Sequence, residues 1–274
     1  MNSEIQKLLR GSFDLHVHAA PDSQERRMDA LETSRSAYEA EMGGFVLKSH
    51  EYPTAPLAYA LRRMYPGLKV FGAIVLNRSV GGINPEAVQV SANLGAKVVC
   101  MPTYDANHWR ERHENSEGIK ITDNDGQLTE KSLEIIEIVA KNEMVLASGH
   151  ISPSETITLF DEAQSQGITK MIATHSHGSL TEDEMLQMVS LGSYMEQTFL
   201  ECMSGSGNMT PNTMVQIIRR LGVDKCIVTT DFGQWMNPPP SEGMRMAIAT
   251  LLEAGMSTEE ITKLVKTNPS ELVE

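Results

Sequence analysis

The sequence predicts a (β/α)8 TIM barrel, an α/β fold, in one domain covering residues 1–274. Short apolar runs rich in β-branched residues alternate eight times with amphipathic stretches, which is the pattern of parallel strands joined by helices. A length of 274 residues suits this fold, for which about 250 residues in one domain is ordinary. An open doubly wound sheet should instead show a glycine-rich phosphate turn after its first strand, where this chain has His-Ala-Ala-Pro-Asp.

The predicted strands are the short apolar runs, each of which has turn-forming residues on both sides. They cover residues 13–18, 44–50, 70–77, 97–103, 144–151, 170–177, 193–199 and 226–231. The predicted helices cover residues 28–41, 55–64, 85–94, 129–142, 153–166, 181–191, 211–221 and 244–253. Ser152 and Glu155 form a capping box around Pro153 at the first helical position, and Ser257 with Glu260 repeats the box for a terminal helix.

The composition of the chain indicates which kinds of binding partner to expect. A formal net charge of −13 argues against a nucleic-acid partner, because Lys and Arg drive binding to phosphate backbones. The chain has neither a signal-peptide core nor an apolar run of membrane-spanning length, and its three cysteines are an odd set without metal-finger spacing. We therefore expect a cytoplasmic protein that acts on a small molecule, without membrane association, in a monomer or a homo-oligomer.

Six of the eight histidines fall at the ends of strand-like runs. They are His16, His18, His50, His150, His175 and His177. The carboxyl ends of all barrel strands surround one mouth, where Asp231 also ends the last run. Imidazoles and a carboxylate gathered on one rim are the ligands of a hydrolytic divalent-metal site.

Two charged residues of the apolar runs have different expected roles. Lys48 shares a strand face with His50 and is rarely buried without a partner, so it either neutralises an anionic substrate or is chemically modified. Asp14 lies at the beginning of its strand, where a structural hydrogen-bonding role is expected. Cys100, in the fourth strand, is expected to pack as a small hydrophobe.

This pattern resembles the amidohydrolase superfamily. The resemblance lies in the His-x-His pair (His16 and His18), in His150, His175 and Asp231 closing later strands, and in the Asn-Pro-Ser-Glu-Leu ending. It implies that the His-x-His pair and Asp231 hold one metal and the two later histidines a second. It also implies that metal-activated hydroxide is the nucleophile.

The sequence departs from the superfamily at the bridging ligand, which in many members is a carboxylated lysine closing the fourth strand. Lys97 lies at the wrong end of that strand here, whereas Lys48 on the second strand offers a carbamate. His50 is a further candidate ligand. The expected cofactor is therefore one or two divalent ions, with zinc favoured over manganese or iron.

The predicted activity is hydrolysis of an amide, cyclic amide or ester-like bond of a small molecule. Catalytic roles are expected for Asp231, Lys48 and His177, and substrate contacts for His50, Glu196 and Trp235. A long polar segment, residues 104–127, follows the fourth strand and is expected to cover the mouth.

Two alternatives stay open. The polymerase-and-histidinol-phosphatase type of phosphoesterase shares the Asp-x-His-x-His opening and a histidine after the second strand, although its last metal strand differs from Asp231-Phe232-Gly233. The other alternative is a catalytically inactive barrel that keeps its metal ligands.

Overall fold

The computed structural model describes residues 2–175, 180–205, 207 and 209–274. Its eight strands are parallel neighbours in chain order, which confirms the predicted (β/α)8 barrel. The strands are β1 (Phe13–Val17), β2 (Gly44–Leu47), β3 (Lys69–Val75), β4 (Ala96–Cys100), β5 (Val145–Ala147), β6 (Met171–Ala173), β7 (Tyr194–Thr198) and β8 (Cys226–Thr229).

Helices join the strands and cover the outside of the barrel. They are α1 (Asn2–Leu9), α2 (Ala30–Glu39), α3 (Ala55–Met64), α4 (Pro85–Asn93), α5 (Asn107–His113), α6 (Glu130–Lys141), α7 (Pro153–Ser165), α8 (Glu182–Ser190), α9 (Pro211–Leu221), α10 (Pro240–Glu253), α11 (Thr258–Thr262) and α12 (Asn268–Val273). The capping boxes at Ser152 and Ser257 form as predicted. Among the described residues, no helix is long and apolar enough to cross a membrane.

The strands are shorter than predicted at their carboxyl ends. The polar residues that follow each apolar run leave the sheet and form the rim of the barrel, so that β5 and β6 have three residues each. Helices α1 and α5 were not predicted. The sequence of α5, Asn-His-Trp-Arg-Glu-Arg-His, has no repeating apolar positions to indicate a helix.

The barrel closes where β1 meets the residues that follow β8. Asp231 N–H donates to the carbonyl of His16 (3.0 Å), and His18 N–H donates to the carbonyl of Phe232 (2.8 Å). Asp14 accepts from the backbone N–H and the hydroxyl of Thr230, at 3.0 and 2.5 Å. The contacts of Asp14 therefore agree with the structural role expected for it. The closure of the barrel also brings Asp231 beside the His-x-His pair.

An irregularity in β1 allows one side chain to pack in the barrel core and the next to lie at the barrel rim. The β1–β2 register shifts between Asp14 and Val17. Leu15 packs in the cluster that fills the barrel interior, with Val46, Val98 and Ile227, while the next side chain, His16, reaches Lys48 and Glu196. A strictly alternating strand could not place both residues inside the barrel.

The Asn-Pro ending serves the opposite end of the barrel. Asn268, at the start of α12, donates from Nδ2 to the carbonyls of Cys226 (2.7 Å) and Val223 (2.8 Å), at the beginning of β8. Leu272 and Val273 of α12 join the interior cluster. This motif therefore closes the bottom of the barrel, far from the histidines.

Candidate metal centre

The structure brings His16, His175 and Asp231 together at the mouth of the barrel. One ligand atom from each of these residues lies within 4.8 Å of the others. Asp231 Oδ1 is 3.1 Å from His16 Nε2 and 3.3 Å from His18 Nε2, and its Oδ2 is 3.4 Å from His175 Nε2. The His150 ring centroid lies 5.2 Å from that of His175.

The backbone is bent at these positions to aim the side chains inward. His175 and Asp231 both have positive φ angles, 49° and 55°, which residues other than glycine adopt at a cost. Gly149 precedes His150, and a Cβ there would lie 2.3 Å from the Met101 carbonyl oxygen. A Cβ on Gly233 would lie 2.3 Å from the His18 carbonyl oxygen. The loops after β5 and β8 therefore require glycine beside a candidate ligand.

Hydrogen bonds to the Nδ1 atoms determine which nitrogens of His16 and His18 face Asp231. His16 Nδ1 lies 3.0 Å from Glu196 Oε1, and His18 Nδ1 lies 2.9 Å from the Lys48 carbonyl oxygen. Carboxylate and carbonyl oxygens only accept hydrogen bonds, so both rings carry a proton on Nδ1. With Nδ1 protonated, the Nε2 atoms of both rings face Asp231.

Burial keeps His18 neutral, and the neighbouring histidines keep Asp231 charged. Burial lowers the pKa of His18 to about 4. Burial by itself raises the pKa of Asp231, but the adjacent imidazoles outweigh it and hold that pKa well below its usual range. At neutral pH the lone pair of His18 Nε2 therefore faces a carboxylate oxygen with no proton between them, an arrangement that a bound cation would stabilise.

His150 supplies a second sign that the centre can hold a bound ligand. Its Nδ1 is buried and has no hydrogen-bond partner among the described residues. Burial also lowers the pKa of His150 well below its usual value, so the ring is neutral at neutral pH. A buried, unpaired imidazole nitrogen is expensive unless it binds a metal or water. The donor set of nitrogens and one carboxylate fits a divalent transition metal.

Glu196, which the sequence predicts to contact substrate, is not among the residues that line the cavity at the barrel mouth. It lies below the rim, buried, where its Oε1 accepts from Thr229 Oγ1 and its Oε2 from the backbone N–H of His175, at 3.0 and 3.2 Å. Burial opposes ionisation, but His16 more than offsets it and lowers the pKa of Glu196 to about 2. An ionised carboxylate behind a ligand histidine orients the ring and strengthens it as a ligand.

Lys48 lies beneath the histidines. Its Nζ is 3.0 Å from His16 Nε2, the same nitrogen that faces Asp231. Cys100 packs in the barrel interior as predicted. An ammonium that donates to His16 Nε2 occupies the lone pair that a metal would use. Metal binding at His16 therefore requires Lys48 to move, to lose its proton or to be modified.

His50 lies on the other side of His18. The two rings stack with centroids 4.6 Å apart, and His50 Nδ1 is 2.8 Å from Thr103 Oγ1. That hydroxyl already accepts from Asn77 Nδ2 (2.8 Å), which leaves its proton free for His50 Nδ1. This network favours a His50 ring with its own proton on Nε2, available to a bound substrate.

A cavity of about 340 Å³ opens above these histidines. The 104–127 segment supplies one wall, as expected, through Tyr104, His108, Trp109, Arg112 and His113. Trp235 is not among the residues that line this cavity. It is 53% exposed, and its carbonyl oxygen accepts a hydrogen bond from Arg27 Nη1 (3.3 Å). The predicted substrate contact of Trp235 is therefore not supported by its position. His177 lies outside the described residues.

The sequence predicts no role for several cavity residues, and the most polar wall among them follows β1. Arg26 and Gln24 lie in the loop between β1 and α2 and line the cavity beside His18. Their loop has no hydrophobic periodicity and no recognisable motif, so only the fold shows that it borders the site. The only feature of the sequence that points to this loop is its position directly after the His-x-His pair.

The fold and this centre define an eight-stranded β/α barrel with a histidine–aspartate cluster at the carboxyl ends of its strands. Several solved structures share that fold. An amidohydrolase from Pseudomonas aeruginosa is 13% identical with a TM-score of 0.69, covering 99% of this chain and 97% of its own. A probable dipeptidase from the same organism is 11% identical with a TM-score of 0.71, covering 98% and 96%. A probable 2-pyrone-4,6-dicarboxylic acid hydrolase from Acinetobacter baumannii is 13% identical with a TM-score of 0.61, covering 96% and 99%.

The chain belongs to a family of unknown function (DUF6282), whose profile matches residues 11–196. The match includes the His-x-His pair, Lys48, His150, His175 and Glu196 and ends before Asp231. No curated protein matches the sequence. At these low identities the structural neighbours establish the barrel fold, and the chemistry has to be argued from the residues of the site.

Proposed function

We propose that this protein is a metal-dependent hydrolase of an amide, cyclic amide or ester-like bond in a small molecule. The observation that carries the proposal is the convergence of three histidine Nε2 atoms, those of His16, His18 and His175, on the buried Asp231 carboxylate at 3.1, 3.3 and 3.4 Å. The superfamily resemblance of the sequence and the hydrolase names of the structural neighbours agree with it.

The residues that would hold metal are His16, His18, His175 and Asp231, with His150 at a second or shared position. When bound, a divalent metal lowers the pKa of water from 15.7 to about 7 and polarises a carbonyl group. We propose zinc as the metal, in one or two copies, because neutral imidazoles and a carboxylate suit it.

The protein's own groups perform the proton transfers and hold the substrate. Asp231, ionised at neutral pH, accepts the proton of the attacking water and passes it to the leaving group. His50, with its proton on Nε2, donates a hydrogen bond to the oxygen on which negative charge develops. Glu196 and the Lys48 carbonyl keep His16 and His18 in the required tautomer.

Metal content and hydrolysis should disappear together. Protein purified without added metal is expected to contain one or two divalent ions per chain by elemental analysis. Dialysis against a chelator should reduce hydrolysis of amide, lactone and cyclic-amide test substrates to background, and zinc, manganese or iron should restore it. Full activity in metal-free protein would contradict the proposal, and activity on phenyl phosphate alone would assign the site to a phosphoesterase.

Lys48→Ala tests the two roles that the sequence leaves open. If Lys48 is carboxylated and bridges two metals, the variant should lose metal, and bicarbonate should partly restore metal binding to carbon-dioxide-depleted wild-type apoprotein. If Lys48 is an ammonium that holds substrate, metal content should stay complete while turnover falls. Lys97→Ala, at the far end of β4, is the matched control. Unchanged metal content and turnover in Lys48→Ala would show a structural role.

A further inference from the structure

Glu201 is a partly buried carboxylate in the wall of the cavity above the histidines. It lies in the turn over Phe199–Cys202 that follows β7. No described residue donates a hydrogen bond to its side chain or forms an ion pair with it, and burial together with the nearby carboxylate of Asp231 raises the pKa of Glu201. A carboxylate that is partly withdrawn from water without a partner is unfavourable, so its position in a cavity needs an explanation.

The backbone holds this carboxylate beside the metal centre. Strand β7 pairs with β8, and beyond the paired residues the Leu200 N–H donates to the carbonyl of Thr230 (3.1 Å). Glu201 therefore follows a residue that is bonded to the chain neighbour of Asp231. The carbonyl of Glu201 itself accepts from the Met209 N–H (3.1 Å). These bonds fix the turn, so the side chain of Glu201 extends into the cavity from an ordered support.

Neither arginine of the cavity wall neutralises Glu201. Arg26 is paired with Asp22, whose Oδ2 lies 2.7 Å from Arg26 Nη2. Arg112 is exposed, and its Nη1 lies 3.4 Å from His108 Nε2 on the same helix. The negative charge of Glu201 is therefore available to a molecule that enters the cavity.

A small cation suits this cavity. Asp231 is the other carboxylate among the described lining residues, and it faces three histidines. The rings of Tyr104 and Trp109 line the same space with their centroids 5.0 Å apart, and the faces of aromatic rings attract cations. A cavity of about 340 Å³ has room for a small organic molecule and not for a polymer.

We propose that Glu201 binds a protonated amine of the substrate, so that the substrates are small molecules with an ammonium group near the bond to be cleaved. This inference deepens the proposed hydrolase function and rests on it for the word substrate. Glu201 determines specificity through its charge, while Asp231 and the histidines act on the scissile bond. The apolar body of the molecule packs against Tyr104 and Trp109.

Benzylamine, which is protonated at neutral pH, and its neutral isostere benzyl alcohol test this site without hydrolysis. Both are titrated by ligand-observed NMR on the protein as purified and again after chelation. Benzylamine is expected to bind about tenfold more tightly in both preparations, which corresponds to about 1.4 kcal/mol. The preference should shrink as salt is added, because the charges are only partly shielded from solvent.

Variants of Glu201 decide whether this residue causes the preference. Glu201→Gln keeps the shape and removes the charge, so it should bind benzylamine no better than benzyl alcohol, while unchanged affinity for benzyl alcohol shows that the cavity is intact. Glu201→Asp keeps the charge on a shorter side chain and should retain part of the preference. Glu111→Gln is the matched control, because it makes the same change in net charge at an exposed residue of α5 that does not line the cavity.

A pair of chromogenic amides tests the same charge during turnover. Alanine para-nitroanilide carries a free ammonium group, and its N-acetyl derivative does not. The free amine is expected to have a kcat/KM about tenfold higher or more in the parent. Glu201→Gln should remove this advantage mainly by raising KM for the free amine, and should leave the acetylated compound unaffected.

Equal binding of benzylamine and benzyl alcohol by the parent would overturn the inference, as would a preference that survives in Glu201→Gln. A preference seen only before chelation would show that the amine binds metal, and would also overturn it. Loss of turnover of both anilides in Glu201→Gln, without a change in benzylamine binding, would replace the ammonium site by a catalytic role.

The outcomes separate this inference from the proposed function. Glu201-dependent benzylamine binding without metal-dependent hydrolysis would contradict only the proposed function. Metal-dependent hydrolysis without Glu201-dependent binding would contradict only the ammonium site.

Discussion

Replacing Asp231 by asparagine is expected to remove bound metal and to lower turnover by about a thousandfold or more. Asp231 lies within 3.4 Å of three histidine Nε2 atoms, those of His16, His18 and His175. Asparagine has nearly the same shape and tolerates the positive φ of this position. The substitution therefore removes the negative charge and leaves the geometry in place.

Elemental analysis and hydrolysis rates check this expectation, and thermal unfolding of the metal-free proteins shows whether the fold is intact. Asp224→Asn is the matched control, because Asp224 precedes the same strand but is exposed and pairs with Lys263. Metal content and turnover close to those of the parent in Asp231→Asn would exclude Asp231 as a ligand and as the proton acceptor.

The position of the centre could be predicted from the sequence because it follows from topology. Polar residues that end apolar runs must gather at one mouth when the strands are parallel, so His16, His150, His175 and Asp231 could be assigned to one rim although they are far apart in the chain. The structure places all four there. Their ligation of a metal stays a prediction.

The contacts behind the rim could not be predicted in the same way. Glu196 lies in the middle of β7 and was assigned to the substrate, but its partner His16 is on β1, and only barrel closure brings the two together. The irregularity in β1 likewise depends on pairing with β2, which no local pattern of residues 13–18 specifies. Trp235 was assigned to substrate from its place after Asp231, although the loop turns its side chain to solvent.

The 104–127 segment divides into a part that belongs to the core and a part that belongs to the mouth. Ile121 is fully buried, its N–H donates to Glu155 Oε1 (3.0 Å), and its carbonyl accepts from Ser132 Oγ (2.8 Å). Removing the whole segment is therefore expected to damage folding as well as turnover.

The excursion over 108–117 can be removed with the two ends that flank it still joined. Its ends are joined by two backbone hydrogen bonds, Asn107 N–H to the Ile119 carbonyl (2.8 Å) and Ile119 N–H to the Asp105 carbonyl (2.6 Å). A two-glycine connection between residues 107 and 118 should preserve this neck. Shortening a loop changes its closure entropy only slightly, so the unfolding temperature should shift by no more than a few degrees, about 4 °C.

Excision of 108–117 should lower turnover of a confirmed substrate by about a hundredfold while metal content stays complete. The excursion supplies His108, Trp109, Arg112 and His113 to the cavity, and without it the substrate is less well held and more exposed to water. Replacing residues 123–126 of the same segment by Asn-Gly is the control, since that turn does not line the cavity. Unchanged kinetics after the excision would show that the excursion borders the mouth without acting as a lid. Loss of metal would show that it supports the centre itself.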